Sequence, residues 1–296
     1  MKLTADTPTT VTPPPVNALP PVEELPVTII DGHKSWSWAD FQELWRFREL
    51  FFYLTLRDIK LRYKQTILGL GWSVFQPLAT MVVFIVFLGN VAGLANEVPN
   101  YKLFVACGIL PWTFFASACM NGGNSLVNNE RLVTKTYFPR LALPAANVFA
   151  AFFDFTICML LFGIVGAIWG IEPTWHLLML PVVVIFLAMI AMGFATFMAA
   201  LIVAQRDFRY LLGFGIQLWM FATTCIYYPQ DKISPEAARW LVLNPLYGLI
   251  LNFRAAVLGD PFDWPALGFS AAMATFTLAI GMIYFRRVDR TMADTI

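Results

Sequence analysis

Long apolar stretches alternate with short polar breaks from residue 70 almost to the C-terminus. Each stretch holds roughly twenty apolar residues, enough for one helix to cross the ~30 Å hydrocarbon layer of a bilayer. The predicted spans cover residues 70–93, 102–124, 145–169, 177–203, 211–229 and 265–285. The pattern therefore predicts an all-α integral membrane protein with six transmembrane helices.

The segment before the first span mixes apolar and basic residues at helical spacing. From about residue 38 to 66, side chains such as Phe41, Trp45 and Ile59 share the pattern with Arg and Lys. Long basic side chains can reach lipid headgroups while aromatic rings enter the acyl boundary. We therefore predict an amphipathic interface helix region at 35–68, followed by the six-span membrane domain at 69–296.

Residues 1–34 form a separate region that is rich in Pro and Thr, with Pro13, Pro14 and Pro15 in sequence. Such a composition cannot build a helix or bury a core, so we expect a disordered cytoplasmic tail. The region lacks an apolar h-region, and we expect it not to be a signal peptide.

The distribution of basic residues predicts the topology. With both termini in the cytoplasm, only four of the 20 Lys and Arg residues fall on the opposite side: Lys102, Lys232, Arg239 and Arg254. Cytoplasmic loops of multi-pass proteins carry an excess of Lys and Arg. We therefore expect both termini to be cytoplasmic.

The break between the fifth and sixth spans has an unusual pattern. A first short helix is predicted at 234–243, and Asn244-Pro245 separates it from a second apolar helix at 246–257 that carries Arg254. Each is too short to cross the bilayer, and a re-entrant hairpin is tolerated only where protein or water satisfies its backbone. We predict an outer gate built around Asn244, Pro245 and Arg254; an interfacial hairpin without a transport role is the alternative.

Composition excludes several kinds of chemistry. The chain of 296 residues is 58% hydrophobic and 13% charged, whereas soluble domains are about 25% charged. No Gly is followed by Lys, so the P-loop that cradles nucleotide phosphates is absent. The four Cys residues lie in apolar segments without CxxC spacing, and His33 and His176 are far apart, so we predict no metal site.

A series of short motifs follows in order from about residue 40 to the end. They occupy 44–50, 57–69, Trp72, 76–78, 108–115, 124–127, 137–144, Arg206-Asp207, 244–246, 285–287 and 293–294. Together they resemble the signature of ABC-2 type permeases, specifically the branch that exports O-antigen, capsule or teichoic-acid polysaccharides. The tail before residue 35 lies outside this resemblance.

The resemblance implies a homodimer with six spans per subunit around a central channel. It also implies two copies of a separate ATPase subunit, which would bind ATP and Mg, so this chain would have no cofactor and no enzymatic activity of its own. The expected cargo is an undecaprenyl-diphosphate-linked glycan, taken from the cytoplasmic leaflet of the bacterial inner membrane. O-antigen fits best; capsule, teichoic acid or another amphipathic cargo stays open. No nucleic-acid partner is expected.

By the same resemblance, the basic loop after the second span is the coupling helix that docks on the ATPase. The predicted coupling residues are Arg131, Leu132, Lys135, Tyr137 and Arg140, with Arg206 and Asp207 bracing the neighbouring loop as a local ion pair. A small apolar patch with flanking cations would suit docking; a solvated basic loop is the alternative.

Two further groups fit the chemistry of such a cargo. Aromatic rings stack on the C–H faces of sugars, and the predicted channel residues are Trp112, Phe114, Phe115, Trp219, Tyr227 and Tyr228. Core packing or an interfacial aromatic belt is the alternative for these rings.

Cations attract a diphosphate, and the predicted contacts are Arg57, Lys60, Arg62 and Lys64. Snorkelling to ordinary headgroups is their alternative role.

Asp154 lies inside the third span, where an ionisable group is expensive and points to a function. No second carboxylate occupies the centre of another span, so a proton relay is disfavoured. We expect a structural hydrogen-bonding role for Asp154, with Gln217 or a backbone break as its partner. A membrane-embedded glycosyl or acyl transferase is a competing class, but the acidic residues are scattered and form no catalytic arrangement. An assembly scaffold is another, but it would not need the broken outer hairpin.

Overall fold

The regular structure is helical throughout the part of the chain that the computed structural model describes. That part comprises residues 47–64, 66–91, 93, 96, 100–136, 138–168, 174–223 and 240–289. The helices are α1 (Arg48–Tyr63), α2 (Gly71–Phe84, continued by a π-helical segment Ile85–Val91), α3 (Tyr101–Gly123), α4 (Ser125–Asn128), α5 (Glu130–Lys135), α6 (Ala142–Ile168), α7 (Leu180–Ala204, preceded by a 3-10 segment Trp175–Met179), α8 (Phe208–Ala222), α9 (Pro245–Leu258) and α10 (Trp264–Asp289).

Within these described ranges, five helices are long and apolar enough to cross a membrane. They cover Gly71–Asn90, Tyr101–Gly123, Ala142–Ala167, Trp175–Ala204 and Trp264–Asp289, which confirms the all-α membrane class and five of the predicted spans. The predicted span 211–229 overlaps α8, whose 15 residues reach only about 22 Å. Residues 224–229 lie outside the described part, so this sixth span stays a prediction, as does the tail at 1–34.

Helix α3 forms the centre of the bundle. Of its most apolar stretch, 78% is buried, against 11% for the span that contains α2. Helices α6, α7 and α9 pack around it, and for this reason its apolar residues are not confined to one stripe. A helix that is hydrophobic on all sides is stable only when it is enclosed by protein or lipid.

Helices α7 and α10 pack against each other and approach closely through glycines. A Cβ atom on Gly193 would lie 2.6 Å from the Cα atom of Leu278, and one on Gly281 would lie 2.7 Å from Oγ1 of Thr196. Within a bilayer, helix association relies on van der Waals contact, which small residues allow by bringing backbones together. These two glycines therefore fix the spacing of α7 and α10.

Helix α9 begins and ends at residues with specific capping chemistry. Asn244 is its N-cap, and its Oδ1 accepts from the backbone N–H of Leu246 at 3.1 Å, with Pro245 in the first helical position. Gly259 ends the helix with φ of +81° and donates its N–H to the Ala255 carbonyl at 3.0 Å. The predicted second helix of the hairpin is thus confirmed. Most of the first lies outside the described residues, so the re-entrant arrangement stays a prediction.

Candidate functional site

A cleft of about 720 Å³ lies between the end of α1 and helices α2, α3 and α6. Its walls combine hydroxyl and amide side chains with aromatic rings, although the surrounding helices are apolar. The polar lining residues are Thr66, Ser73, Gln76, Thr80, Thr113, Ser117 and Asn121. The aromatic ones are Tyr63, Trp72, Trp112, Phe114 and Phe155. Hydroxyl and amide groups can exchange hydrogen bonds with a polar ligand, and ring faces can stack on it.

An ion pair between α1 and α6 lies in the cleft. The guanidinium of Arg62 donates to Oδ2 of Asp154, and the hydroxyl of Tyr63 donates to Oδ1 of the same carboxylate. The side chains of Arg62 and Asp154 keep 26% and 17% of their surface exposed. The pair therefore remains accessible from the cleft. The expectation that Asp154 bonds to Gln217 is corrected: its described partners come from α1.

Tyr63 is a stable hydrogen-bond donor to Asp154. Burial, reinforced by the hydrogen bond to Asp154 and by the negative charge of that carboxylate, raises the pKa of Tyr63 to about 12. The phenol therefore keeps its proton across the physiological pH range. Asp154 consequently accepts one hydrogen bond from a neutral group and one from a charged group.

Another of the predicted diphosphate contacts, Arg57, is engaged elsewhere. It pairs with Asp58 at 2.8 Å and also donates to Oδ1 of Asn129 at 2.9 Å. Asn147 on α6 in turn donates to Asp58 at 3.1 Å. Arg57 therefore links α1 to the residue that precedes α5.

The predicted diphosphate contacts thus divide into three groups. Lys60 and Lys64 are exposed on and just after α1. Arg62 lines the cleft, whereas Arg57 serves the packing between α1 and the loop before α5. Of the four, only Arg62 belongs to the cleft.

The predicted aromatic residues also separate by position. Trp112 and Phe114 line the cleft, although most of their surface is buried. Phe115 is fully buried and packs edge-on against Trp219 at 5.3 Å between ring centroids, so it belongs to the core of the bundle. Tyr227 and Tyr228 lie outside the described residues. Phe155 also lines the cleft. The sequence did not predict this, because no residue pattern distinguishes Phe155 from the other apolar residues of its span.

The short helix α5 exposes its charges and buries its apolar side chains. Arg131 and Lys135 are exposed, whereas Val133 and Phe138 are buried in a cluster with Leu54 of α1. The docking role of this segment stays a prediction. Val133 and Phe138 face inward because they belong to a buried cluster with residues of α1, α7 and α10. Leu132, which is among the predicted coupling residues that the structure describes, keeps a partly exposed apolar side chain.

Of the remaining predicted coupling residues, Arg140 bonds to the end of α10, whereas Arg206 and Asp207 are exposed. Arg140 donates to the backbone carbonyl of Asp289 at 2.8 Å and to its carboxylate at 3.0 Å, which ties the start of α6 to the end of α10. Arg206 and Asp207 are both exposed, and the described ion pairs do not join them, so the expected local pair is not formed. Tyr137 lies outside the described residues.

The predicted gate residues hold helices together. Nδ2 of Asn244 donates to the carbonyl of Ala222 at 3.2 Å and to Oγ1 of Thr223 at 3.0 Å. Nε1 of Trp219 donates to Oδ1 of Asn244 at 3.1 Å. Asn244 therefore joins the end of α8 to the start of α9, next to Pro245.

Arg254 occupies a buried position on α9. Its Nε donates to the Phe104 carbonyl at 3.3 Å, and its guanidinium carbon lies 3.6 Å from the centre of the Phe104 ring. A cation over an aromatic face is stabilised most when it is desolvated. Arg254 thus anchors α9 to α3.

We expect Asn244→Ala to lower stability by about 1–3 kcal/mol because it removes a cap and the hydrogen bonds to partly buried Trp219 and buried Thr223. If this junction is an outer gate, the variant should also raise ion leak in proteoliposomes, measured by potential-sensitive dye. Asn244→Asp, which keeps the acceptor but not the donors, should give a smaller effect. Lower stability with an unchanged leak would reduce Asn244 to a cap.

Membrane-crossing helices around a polar and aromatic cleft define a multi-pass membrane protein, and comparison with known proteins gives its family. Residues 49–258 match the family described as ABC-2 type transporter. The chain belongs to that family.

Relatives of named function align over most of the chain. The O-antigen export system permease protein RfbA of Myxococcus xanthus is 31% identical over 216 residues, which cover 72% of this chain and 82% of that protein. A Klebsiella pneumoniae protein of the same name is 27% identical over 248 residues, covering 83% and 94%. The polysialic acid transport protein KpsM of Escherichia coli is 22% identical over 255 residues, covering 81% and 93%.

Proposed function

We propose that this chain is the permease subunit of an exporter of lipid-linked polysaccharide, with O-antigen on undecaprenyl diphosphate as the leading cargo. The observation that carries the proposal is the cleft, in which Arg62 lies at the end of α1 beside walls of hydroxyl, amide and aromatic groups. The names and coverage of the relatives support the same conclusion.

The cleft and its surroundings match the three chemical parts of such a cargo. Arg62, together with the exposed Lys60 and Lys64, attracts the diphosphate. Trp72 and Thr113 represent the ring faces and hydroxyls that contact sugars weakly and repeatedly, which suits movement better than tight binding. The exposed apolar face of α2, including Phe75, contacts acyl chains.

Energy for transport comes from a partner in this proposal. The chain lacks the P-loop motif, so two copies of an ATPase subunit, with ATP and Mg, act on a homodimer of this permease. The exposed residues Arg131 and Lys135 of α5 form the docking surface. Their neighbours Val133 and Phe138 pack against Leu54, so a push on α5 reaches α1 directly.

We place the protein in the bacterial inner membrane with both termini in the cytoplasm. Leu54 of α1, Val133 of α5 and Phe285 of α10 belong to one buried cluster, so basic segments at three separate positions in the chain meet at one end of the bundle. The excess of Lys and Arg in cytoplasmic segments places that end inside. A capsular polysaccharide is the second candidate cargo, favoured by the likeness to KpsM.

Deleting the gene in its native cell tests the proposal. The surface glycan should disappear, and polymer should accumulate inside on its lipid carrier, as seen by immunoblotting and lipid extraction. Re-expression of the intact chain should restore the surface polymer, and its sugars identify the cargo. A surface glycan unchanged in amount and composition would overturn polysaccharide export as the function.

A further inference from the structure

We propose that Asp154 is an internal counter-ion that the diphosphate of the cargo must displace from Arg62, so that Asp154 determines which anionic lipids enter the cleft. The inference rests on the proposed function and deepens it. It concerns a carboxylate that the sequence alone placed in a structural role.

The guanidinium of Arg62 is paired with Asp154 and is still accessible from the cleft. Arg62 donates to Asp154 across the cleft, and each side chain is partly exposed to it. A carboxylate inside a span is costly unless it is paired, which explains the contact between Asp154 and Arg62. Arg62 is therefore accessible to an anion that enters the cleft.

A diphosphate is chemically suited to replace Asp154 as the partner of Arg62. The planar guanidinium forms bidentate hydrogen bonds with phosphoryl oxygens as readily as with a carboxylate. A diphosphate esterified at both ends carries a negative charge on each phosphoryl group, whereas the phosphodiester of an ordinary phospholipid carries one. The phospholipid therefore offers Arg62 no more charge than Asp154 already supplies.

Asp154 retains a partner after Arg62 leaves. The hydroxyl of Tyr63 donates to the other carboxylate oxygen, and its raised pKa keeps that proton in place. Cys158, one turn further along α6, also donates to the Ser73 carbonyl at 3.2 Å, which holds α2 against α6 independently of the ion pair. The cleft can thus change the partner of Arg62 while its walls stay in position.

Asp154 also disfavours the binding of anionic lipids other than the diphosphate. Discrimination between ligands often depends on an element that disfavours the wrong one. The negative charge of Asp154 repels a singly charged headgroup that cannot replace it on Arg62. Removing that charge should therefore strengthen the binding of all anionic lipids and reduce the preference for a diphosphate.

The test measures binding to the full-length chain in nanodiscs with its partner ATPase. Farnesyl diphosphate is the probe, with inorganic diphosphate and short-chain phosphatidylglycerol as comparisons. In Asp154→Asn, binding of farnesyl diphosphate should tighten by about tenfold, typical of a partly exposed charge interaction. Phosphatidylglycerol should gain more, so that selectivity falls. Arg62→Gln should abolish the selective binding.

Two control variants separate displacement from general effects. Lys102→Gln removes an exposed cation that does not line the cleft and keeps the ion pair, so selectivity should persist. Tyr63→Phe keeps the pair but removes the donor that Asp154 retains after Arg62 leaves, so farnesyl diphosphate should bind more weakly, opposite to the change in Asp154→Asn. Unchanged or weaker diphosphate binding by a folded Asp154→Asn chain would show that Asp154 is only a brace, and would overturn the proposal.

The wild-type chain supplies a test that does not depend on any variant folding. It must bind farnesyl diphosphate in preference to phosphatidylglycerol, and equal affinities would overturn the proposal. Weaker binding of inorganic diphosphate than of farnesyl diphosphate supports a lipid-linked source, and equal binding would overturn that assignment. These outcomes are independent of the gene-deletion phenotype, so the two proposals can fail separately.

Discussion

Reversing both exposed charges of α5, by Arg131→Glu together with Lys135→Glu, should reduce polysaccharide export at least about tenfold while the membrane domain stays folded. Like charges placed opposite each other in an interface cost several kcal/mol, so docking of the ATPase should fail. Surface substitutions of this kind change stability by only about 0.5 kcal/mol, because Val133 and Phe138 carry the packing of this segment. Surface glycan reports export, and the thermal unfolding midpoint reports folding.

A matched control lies nearby. Arg209→Glu reverses an exposed charge at the start of α8, outside the predicted coupling residues, and should leave export unchanged. ATPase activity in the complex should persist in the double variant without driving transport. Normal export by a stable double variant would show that α5 is not the docking surface.

Replacing Gly281 by Val should be among the most damaging single substitutions in the membrane domain. Its Cβ would press against the backbone carbonyl of Gly193 and lie 2.7 Å from Oγ1 of Thr196, so α7 and α10 would have to separate. Overpacking commonly costs about 1–3 kcal/mol, and a clash with backbone falls at the upper end. The yield of monodisperse protein and its unfolding midpoint in detergent measure the effect.

Gly268→Val is the control because it lies on the same helix, where an added Cβ atom would meet no other atom within 4 Å. It should leave the yield and the unfolding midpoint close to those of the wild-type chain. An unfolding midpoint for Gly281→Val equal to that of Gly268→Val would contradict the close approach of α7 and α10.

Hydropathy correctly predicted five spans because membrane insertion itself depends on runs of apolar residues. Hydropathy did not predict which face of each helix packs against other helices and which faces lipid or the cleft. Phe114 and Phe115 are adjacent in sequence, yet Phe114 lines the cleft and Phe115 packs against Trp219. That difference is set by the helices that enclose α3, and no local pattern contains it.

For the charged residues too, the sequence predicted positions along the chain but not the partners that helix packing brings together. Arg62 was predicted as a cargo contact from its position before a span, and the structure places it in the cleft. Its pairing with Asp154 joins residues 92 positions apart, and only the packing of α1 on α6 brings them together. Val133 lies among the predicted coupling residues but is buried, and amphipathic spacing alone does not reveal which side of a short helix faces the protein.

The enclosure of α3 has a consequence for biogenesis. Its apolar stretch has the same mean hydropathy as that of the preceding span, so a translocon that partitions segments by hydropathy treats the two alike. Helices α6, α7 and α9, which enclose α3, are synthesised after it. Newly inserted α3 must therefore face lipid first and exchange that lipid for protein later. Assembly of the bundle therefore includes a step within the bilayer in which α3, already inserted, becomes covered by helices that follow it in the chain.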